Sequence, residues 1–321
     1  MINKFLNNVN NGKNNWWRYL ISIILTLLVS GIIAGFFLLL VIIVFFIYSG
    51  NFNINTINDL LLSYNSNIIF FFILTFFSIS FSLIFLFISL KFIHKRDFMS
   101  LVNFSAKYDE FSRKAITLLK RIRWNLMLKG ALIWLAFLLV SFLIGFIIDP
   151  GNYYLNLNIN DLFLIILLFM LSIPIQVLFE ELFFRGYINQ ALSLIIKKPI
   201  IIIIISSLLF SIGHVINGGM NPIFMVSNVL ITFIGGIILS VATLATDGIE
   251  WAVGAHFANN LFAFLITSSE GSIGNFETIV QLTVQPDPFW DLIFSTAFLL
   301  VFAVILFFYK KEKIMKVFIS K

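Results

Sequence analysis

The sequence predicts an all-α, polytopic membrane protein with about eight transmembrane helices. The chain of 321 residues is 60% hydrophobic and only 11% charged, whereas about a quarter of a soluble domain is charged. Its mean hydropathy is +1.03, and a soluble protein of this length could not bury so much apolar surface. Apolar runs of membrane-crossing length also recur along the chain.

Eight runs are candidate crossings, because a bilayer core of about 30 Å needs about 20 apolar residues per helix. The predicted spans are Tyr19 to Tyr48, Ile68 to Ile93, Leu126 to Ile148, Leu162 to Leu194, Ile200 to Val215, Ile223 to Thr246, Trp251 to Thr267 and Phe289 to Tyr309. The fourth run is longer than one crossing requires, and the fifth is short.

The distribution of charge predicts the orientation of these spans. Segment 91–129 holds ten Lys or Arg residues, whereas segment 149–161 holds none, and basic and non-basic connections alternate along the chain, with one weak turn at Asp247. By the positive-inside rule, both the N-terminus and the C-terminus are expected to be cytoplasmic. The net charge of +6 is therefore attributed to membrane orientation, and no nucleic-acid-binding pattern accompanies it.

Segment 91–129 also predicts an amphipathic element. From Leu101 to Ile122, apolar residues fall mostly at spacings of three and four, and basic residues occupy much of the opposite face. This pattern is typical of a helix on the cytoplasmic membrane surface, although a solvated linker helix gives the same pattern. His94 stands in this basic segment and is expected at the surface.

Ionisable groups within apolar spans are energetically costly and mark candidate functional sites. The fourth apolar run carries no charge from Leu162 to Phe179 and then continues through Glu180, Glu181 and Arg185. Glu181 and Arg185 are four residues apart and can pair on one helix face. Glu180 lies about 100° around the helix and is not satisfied by that pair. The alternative is a helix that ends at Glu180 in the cytoplasmic interface.

Two further polar groups lie in or near the membrane. His214 follows Phe210 in the pattern Phe-x-x-x-His, and His256 precedes Asn260 in the pattern His-x-x-x-Asn. A spacing of four places His256 and Asn260 on one helix face. For His214 the alternative is a core histidine bonded to a backbone carbonyl. For His256 and Asn260 it is hydrogen bonding between helices.

The depth of these groups favours a shared site. Glu180 lies 17 residues before Lys197, and His214 lies 16 residues after Lys198. If both arms are helical, each group is about 25 Å from the turn between them. The two side chains are therefore expected at matching depth on adjacent helices.

The chemistry of these residues suits the activation of water. Glu180, His214, His256 and Asn260 supply a base, two imidazoles and an amide that can stabilise an oxyanion. Glu180, His214 and His256 could instead hold zinc with an open position for water. Both mechanisms, with and without zinc, predict hydrolysis of peptides within the membrane. The chain has no cysteine, so a thiolate nucleophile, a thiolate metal site and a disulfide framework are excluded.

Together these motifs resemble those of the CPBP intramembrane proteases, which include CAAX endopeptidases and bacteriocin-processing and immunity proteins. The family pattern Glu-Glu-x-x-x-Arg matches Glu180, Glu181 and Arg185. The patterns Phe-x-x-x-His and His-x-x-x-Asn follow in the family's order. The resemblance covers the chain from about Leu162 to Phe264.

The resemblance implies a helical fold with a catalytic cavity open to the cytoplasm. It implies that Glu180 and His214 activate water, and that His256 and Asn260 stabilise the oxyanion or help to bind a metal. Glu181, Arg185 and Phe210 become supporting residues. Three regions are expected along the chain. Residues 1–160 form an N-terminal membrane region with three helices and the amphipathic segment 91–129. Residues 161–270 form the catalytic core, and residues 271–321 form the last helix and a basic tail.

The sequence therefore predicts an intramembrane metalloendopeptidase that cleaves membrane-associated peptides or protein tails among membrane lipids, with zinc as the candidate cofactor. The 40 Phe residues and many Ile and Asn suggest an AT-rich bacterial genome, and hence the bacterial plasma membrane. Peptide or bacteriocin processing, or self-immunity, is the expected role there. The alternatives are a non-catalytic bacteriocin immunity or scaffold protein and a proton-coupled transporter that uses the same buried groups.

Overall fold

The fold is almost entirely helical. The computed structural model describes residues 3–49, 68–104, 120–155, 159–215, 222–269, 278–283, 287–309 and 311–319. The α-helices are α1 (Trp16–Ile23), α2 (Ser30–Ser49), α3 (Ile68–Ile88), α4 (Trp124–Ile148), α5 (Ile159–Glu180), α6 (Asn189–Leu192), α7 (Pro199–Ile212), α8 (Pro222–Thr246), α9 (Glu250–Leu261), α10 (Pro288–Tyr309) and α11 (Lys311–Ile319). π-Helical turns join α1 to α2 (Ile24–Val29) and α5 to α6 (Glu181–Ile188), and they extend α3 (Ser89–Ile93) and α9 (Phe262–Ile266).

Six helices of the described chain are long and apolar enough to cross a membrane. They are Trp16–Val44, Thr75–Ile93, Trp124–Ile148, Ile166–Leu192, Pro222–Thr246 and Pro288–Phe308. These six correspond to six of the predicted spans. The predicted fifth span is α7, whose 14 residues extend about 21 Å, and the predicted seventh span is α9 with its π-helical turn. The polytopic all-α fold is confirmed, and the count of eight crossings stays a prediction.

The outward faces of these helices are apolar. Ile147, Phe163 and Phe308 are each at least 70% exposed, and they belong to three different spans. Large apolar side chains in such numbers on a surface mark contact with lipid rather than with water. The chain is therefore an integral membrane protein whose lipid-facing surface is built from nearly uniformly apolar helices.

Three short strands of the described chain lie in the connections that contain no Lys or Arg, which form the non-basic end of the bundle. The sequence pattern does not predict these strands. They are β1 (Tyr153–Leu155), β2 (Thr267–Ser269) and β3 (Val280–Leu282). Strand β3 lies in the middle, antiparallel to β1 and parallel to β2. The sheet links the connection after α4 to the two segments between α9 and α10.

The basic end of the bundle contains a buried layer of short helical turns. A 3₁₀ helix at Leu6–Asn11 and another at Phe98–Leu101 pack against the core. Leu101, the first apolar residue of the predicted amphipathic helix, ends this second 3₁₀ turn and is fully buried, and the amphipathic helix itself stays a prediction. Residues 105–119 of that prediction lie outside the described residues.

The expectation that His94 lies at the surface is wrong, because the N-terminal segment folds over it. Its side chain is 1% exposed. Nδ1 donates to the carbonyl of Lys13 over 3.0 Å. Nε2 lies 2.9 Å from the hydroxyl of Tyr187 and 3.2 Å from that of Ser22. The basic neighbours along the chain predicted exposure, but these contacts between distant segments bury the ring.

Helices α4 and α9 pack backbone to backbone through two glycines. A Cβ on Gly130 of α4 would clash with the carbonyl oxygen of Trp251, and one on Gly254 of α9 would clash with that of Met127. Small residues allow this close approach between membrane helices. The contact fixes the position of α9, which carries His256.

Candidate active site

The two adjacent glutamates lie at a junction between two helical geometries. Glu180 is the last residue of α5, and Glu181 is the first residue of the π-helical segment. The chain stays helical beyond them, and their exposures are only 8% and 0%. A helix that ends at Glu180 in the interface is therefore not what the structure shows. π-Helical turns are frequent at functional sites.

Glu181 is held by two partners. Nη1 of Arg185 donates to its Oε1 over 3.0 Å, so the predicted pair at a spacing of four is confirmed. Nδ1 of His256 donates to the same oxygen over 2.8 Å. Glu181 thus joins the π-helical segment to α9 and offsets the charge of a fully buried arginine.

Phe210 lies between the ion pair and the histidines. The guanidinium of Arg185 stacks over its ring, 4.1 Å from the centroid, in a cation–π contact. The ring centroid is also 4.3 Å from that of His214 and 5.9 Å from that of His256. One aromatic ring therefore contacts the two imidazoles and the guanidinium, which fits its expected supporting role.

Glu180 has one anchored oxygen and one free oxygen. Nε2 of Gln176 donates to its Oε1 over 3.0 Å. Oε2 is buried and accepts no hydrogen bond from the described residues. It lies 3.7 Å from Nε2 of His214 and 3.6 Å from Nε2 of His256. These separations are too long for direct hydrogen bonds, so Oε2 is close to both imidazoles without being bonded to either.

The hydrogen bonds of the two imidazoles define which nitrogen faces Glu180. Nδ1 of His214 lies 2.8 Å from the carbonyl oxygen of Phe210, and Nδ1 of His256 contacts the carboxylate of Glu181. Neither oxygen carries a hydrogen, so Nδ1 is the protonated nitrogen in each neutral ring. In the neutral form of each ring, Nε2 would therefore carry its lone pair on the side of Glu180 Oε2. The bond to a backbone carbonyl expected for a core histidine is present at His214, but it engages only one nitrogen.

Asn260 lies one turn after His256 on α9 and is 8% exposed. Its Oδ1 accepts a weak hydrogen bond from Nδ2 of Asn259 over 3.4 Å. In the described chain no hydrogen bond joins Asn260 to Glu180, His214 or His256. The structure therefore brings Glu180 close to both His214 and His256, and Asn260 follows one turn after His256 on the same helix.

Two features of the site are not apparent in the sequence motifs. Gln176 positions the carboxylate of Glu180, and its spacing of four on one helix face is the signal that could have revealed it. Glu250, 1% exposed, anchors the first turn of α9. It accepts from Arg123 over 2.9 Å and 2.5 Å and from Asn103 over 2.5 Å. In the sequence Glu250 stands beside a polar turn, which is typical of an ordinary surface residue. Its burial is not predicted, because its partners Arg123 and Asn103 are distant in sequence.

The donor chemistry of the site fits a zinc ion. Two imidazoles whose Nδ1–H groups are each bonded to an oxygen, together with a carboxylate, are typical zinc ligands and supporting partners. Their present spacing is not that of a closed metal site, since no group of three metal-binding side chains is formed among the residues described. Glu180, His214 and His256 are the side chains that would hold the ion.

The fold and this cluster define a polytopic membrane protein with a buried Glu–His–His site. The family model of the type II CAAX prenyl endopeptidase Rce1-like proteins matches residues 160–262, which include every predicted site residue. The chain is also 30% identical over 205 residues to the uncharacterized protein YyaK of Bacillus subtilis (strain 168), covering 63% of this chain and 68% of that protein. No solved structure matches it. The chain belongs to the Rce1-like family, and membership supports a CAAX-type intramembrane protease that acts on peptides in a lipid environment.

Proposed function

We propose that the chain is an endopeptidase that hydrolyses membrane-associated peptides or protein tails with water activated by Glu180 and His214. The observation that carries this proposal is the position of Glu180 Oε2, which lies within 3.7 Å of both Nε2 atoms. A water molecule to one side of these contacts reaches the carboxylate oxygen and an imidazole nitrogen together. Such a pair of acceptors orients and polarises a nucleophile.

The environment of the two glutamates supports Glu180, rather than Glu181, as the base. Glu181 already accepts hydrogen bonds from Arg185 and His256 through Oε1, so it holds neighbouring groups in place. Both glutamates keep an Oε2 without a hydrogen-bond partner among the described residues, but that of Glu180 lies 3.7 Å from Nε2 of His214 and 3.6 Å from Nε2 of His256. Gln176 fixes the other oxygen of Glu180, and the position of its Oε2 between two imidazoles supports Glu180 as the proton acceptor.

The proposed reaction uses one water molecule per peptide bond. Oε2 of Glu180 removes a proton from the water, and the water oxygen bonds to the peptide carbonyl carbon. The carbonyl oxygen becomes the oxyanion, for which Asn260 supplies an N–H donor and His256 supplies one when it is protonated. The carbon–nitrogen bond then breaks, and Glu180 returns the proton to the leaving nitrogen.

Zinc is an alternative form of the same proposal. The ligands would be Glu180, His214 and His256, and the bound ion would act as a Lewis acid toward water or the carbonyl oxygen. In that form Gln176, Glu181 and the backbone carbonyl of Phe210 orient the three ligands. Zinc content measured on purified protein, with and without His214→Ala, tests this form independently of activity.

The proposed biological role is peptide or bacteriocin processing, or self-immunity, at a bacterial plasma membrane. The matched relative is a bacterial protein, and the composition points to an AT-rich genome. If hydrolysis confers protection against a bacteriocin, Glu180→Gln protein that still inserts into the membrane will not protect sensitive cells. Full protection by that variant would support a binding-only immunity protein.

The experiment that tests the activity is cleavage of a panel of membrane-bound peptides by purified protein. We expect cleavage by the wild type and its loss in Glu180→Gln and His214→Ala. Glu312→Gln is the matched control, since it makes the same change at an exposed carboxylate. Cleavage that persists in folded Glu180→Gln would contradict the proposal. Sensitivity to a chelator, reversed by zinc, would favour the metal-dependent form.

A further inference from the structure

An apolar groove lies between helices on a part of the molecule that contains none of the proposed catalytic residues. It encloses about 460 Å³, within the roughly 300–1,000 Å³ typical of ligand pockets. Its walls come from α4, α8, α10 and α11, with one residue from α9. Most of the lining is aliphatic or aromatic, and includes Leu126, Ile133, Ile237, Val241, Leu306 and Phe307.

The lining contains three cations and no carboxylate, and we call this cavity the basic groove. Arg123 belongs to the ion pair with Glu250. Lys129 and Lys313 are exposed, and neither forms an ion pair with another described residue. Two ammonium groups that have no ion-pair partner within the described part of the chain thus lie beside a predominantly apolar cavity.

The basic groove lies at one end of the helix bundle. It is bounded by the start of α4, the end of α8, the end of α10 and the start of α11. This end carries the basic connections, which the positive-inside rule assigns to the cytoplasmic leaflet. That leaflet is rich in anionic lipids, which attract Lys and Arg near the surface.

We propose that the basic groove binds an anionic phospholipid, with an acyl chain between the helices and the phosphate at Lys129 and Lys313. The proposal accounts for both features of the groove, because an amphiphile matches an apolar channel that ends in positive charge. A zwitterionic lipid would fill the apolar part but would gain little from two lysines. Trp251 also lines the groove, so the bound lipid would contact α9 five residues before His256.

Lipid binding to the intact detergent-purified protein tests this inference by native mass spectrometry, with phosphatidylglycerol and phosphatidylcholine as probes. We expect preferential retention of phosphatidylglycerol. The double variant Lys129→Gln/Lys313→Gln should weaken its binding about thirtyfold, since each basic residue near a membrane surface contributes about 1 kcal/mol. Lys197→Gln/Lys198→Gln is the matched control, because it removes two exposed charges from the same side without touching the groove.

A second variant examines the apolar part of the site. Ala303 lines the basic groove, and Ala303→Leu should reduce binding of both lipids by occupying the acyl-chain position. Equal binding of the two lipids by the wild type would overturn the proposal, as would equal loss in the two lysine double variants. These readings do not depend on peptide cleavage, so failure here leaves the proposed activity unaffected.

Discussion

The two adjacent glutamates of this site have different environments because their side chains meet different partners. Glu181 is bound by Arg185 and His256, whereas Glu180 presents one oxygen to two imidazoles. The sequence predicts that Glu181 pairs with Arg185, because a spacing of four is a local property of a helix. It does not predict that His256 contacts Glu181, because that contact depends on how α9 packs against α5.

The buried His94 provides a test at the residue scale. Burial, together with the nearby charges of Arg96 and Arg18, lowers the pKa of His94 from its ordinary 6.5 to about 4, although the bond to Lys13 opposes this shift. Between pH 6.5 and 4 the unfolded chain therefore binds a proton at this residue that the folded chain does not.

Stability should accordingly fall as pH decreases through this window, and His94 should add no pH dependence above pH 6.5. The difference between the two pKa values corresponds to a loss of roughly 1 to 3 kcal/mol in the free energy of unfolding, after allowance for solvent screening. The check is thermal unfolding of wild type and His94→Gln at pH 7 and pH 5. The wild type should lose more stability than the variant, because every other titratable group is present in both proteins. Equal losses would contradict this account of His94.

At the scale of elements, the position of α9 depends on two independent interactions. The glycine contact brings its backbone against α4, and the buried ion pair of Glu250 with Arg123 holds its first turn. Neither interaction can be predicted from hydrophobic periodicity, which indicates that a helix exists but not its distance from a neighbouring helix. The same reason explains why the strands and the two buried 3₁₀ turns are absent from the prediction.

A methyl group at Gly254 should displace α9. Its Cβ would meet the carbonyl of Met127, and overpacking of this kind costs about 1 to 3 kcal/mol. We expect Gly254→Ala to lower the unfolding temperature and the peptidase activity together. Gly235→Ala in α8 is the matched control, because no packed neighbour among the described residues lies within 4 Å of the position that its methyl group would occupy. Equal behaviour of the two variants would argue against a close contact between α4 and α9.

At the scale of the whole molecule, composition alone predicts the membrane class, because 60% hydrophobic residues exceed what a soluble interior can contain. The apolar runs also predict the locations of the six long helices. The three site motifs predict which side chains converge, although 75 residues separate Glu181 from its partner His256. The basic groove is not predictable in this way, since it arises from the ends of four helices that meet only in the folded chain.

The predicted orientation can be tested with single cysteines, because the natural chain contains none. Gly151 lies exposed at the non-basic end and Lys198 at the basic end. An impermeant maleimide should label Gly151→Cys in intact cells and should label Lys198→Cys only after lysis. The reverse pattern would show that the basic connections face outward.

The most direct test of the central claim is incorporation of oxygen-18 from labelled water during cleavage of a membrane-bound peptide. If Glu180 activates water, each new carboxyl terminus formed by the wild type will contain one labelled oxygen in a single turnover. The folded Glu180→Gln variant should form product at least about a hundredfold more slowly, as expected for loss of a general base. Product without the label, or labelled product at the wild-type rate from Glu180→Gln, would contradict the account.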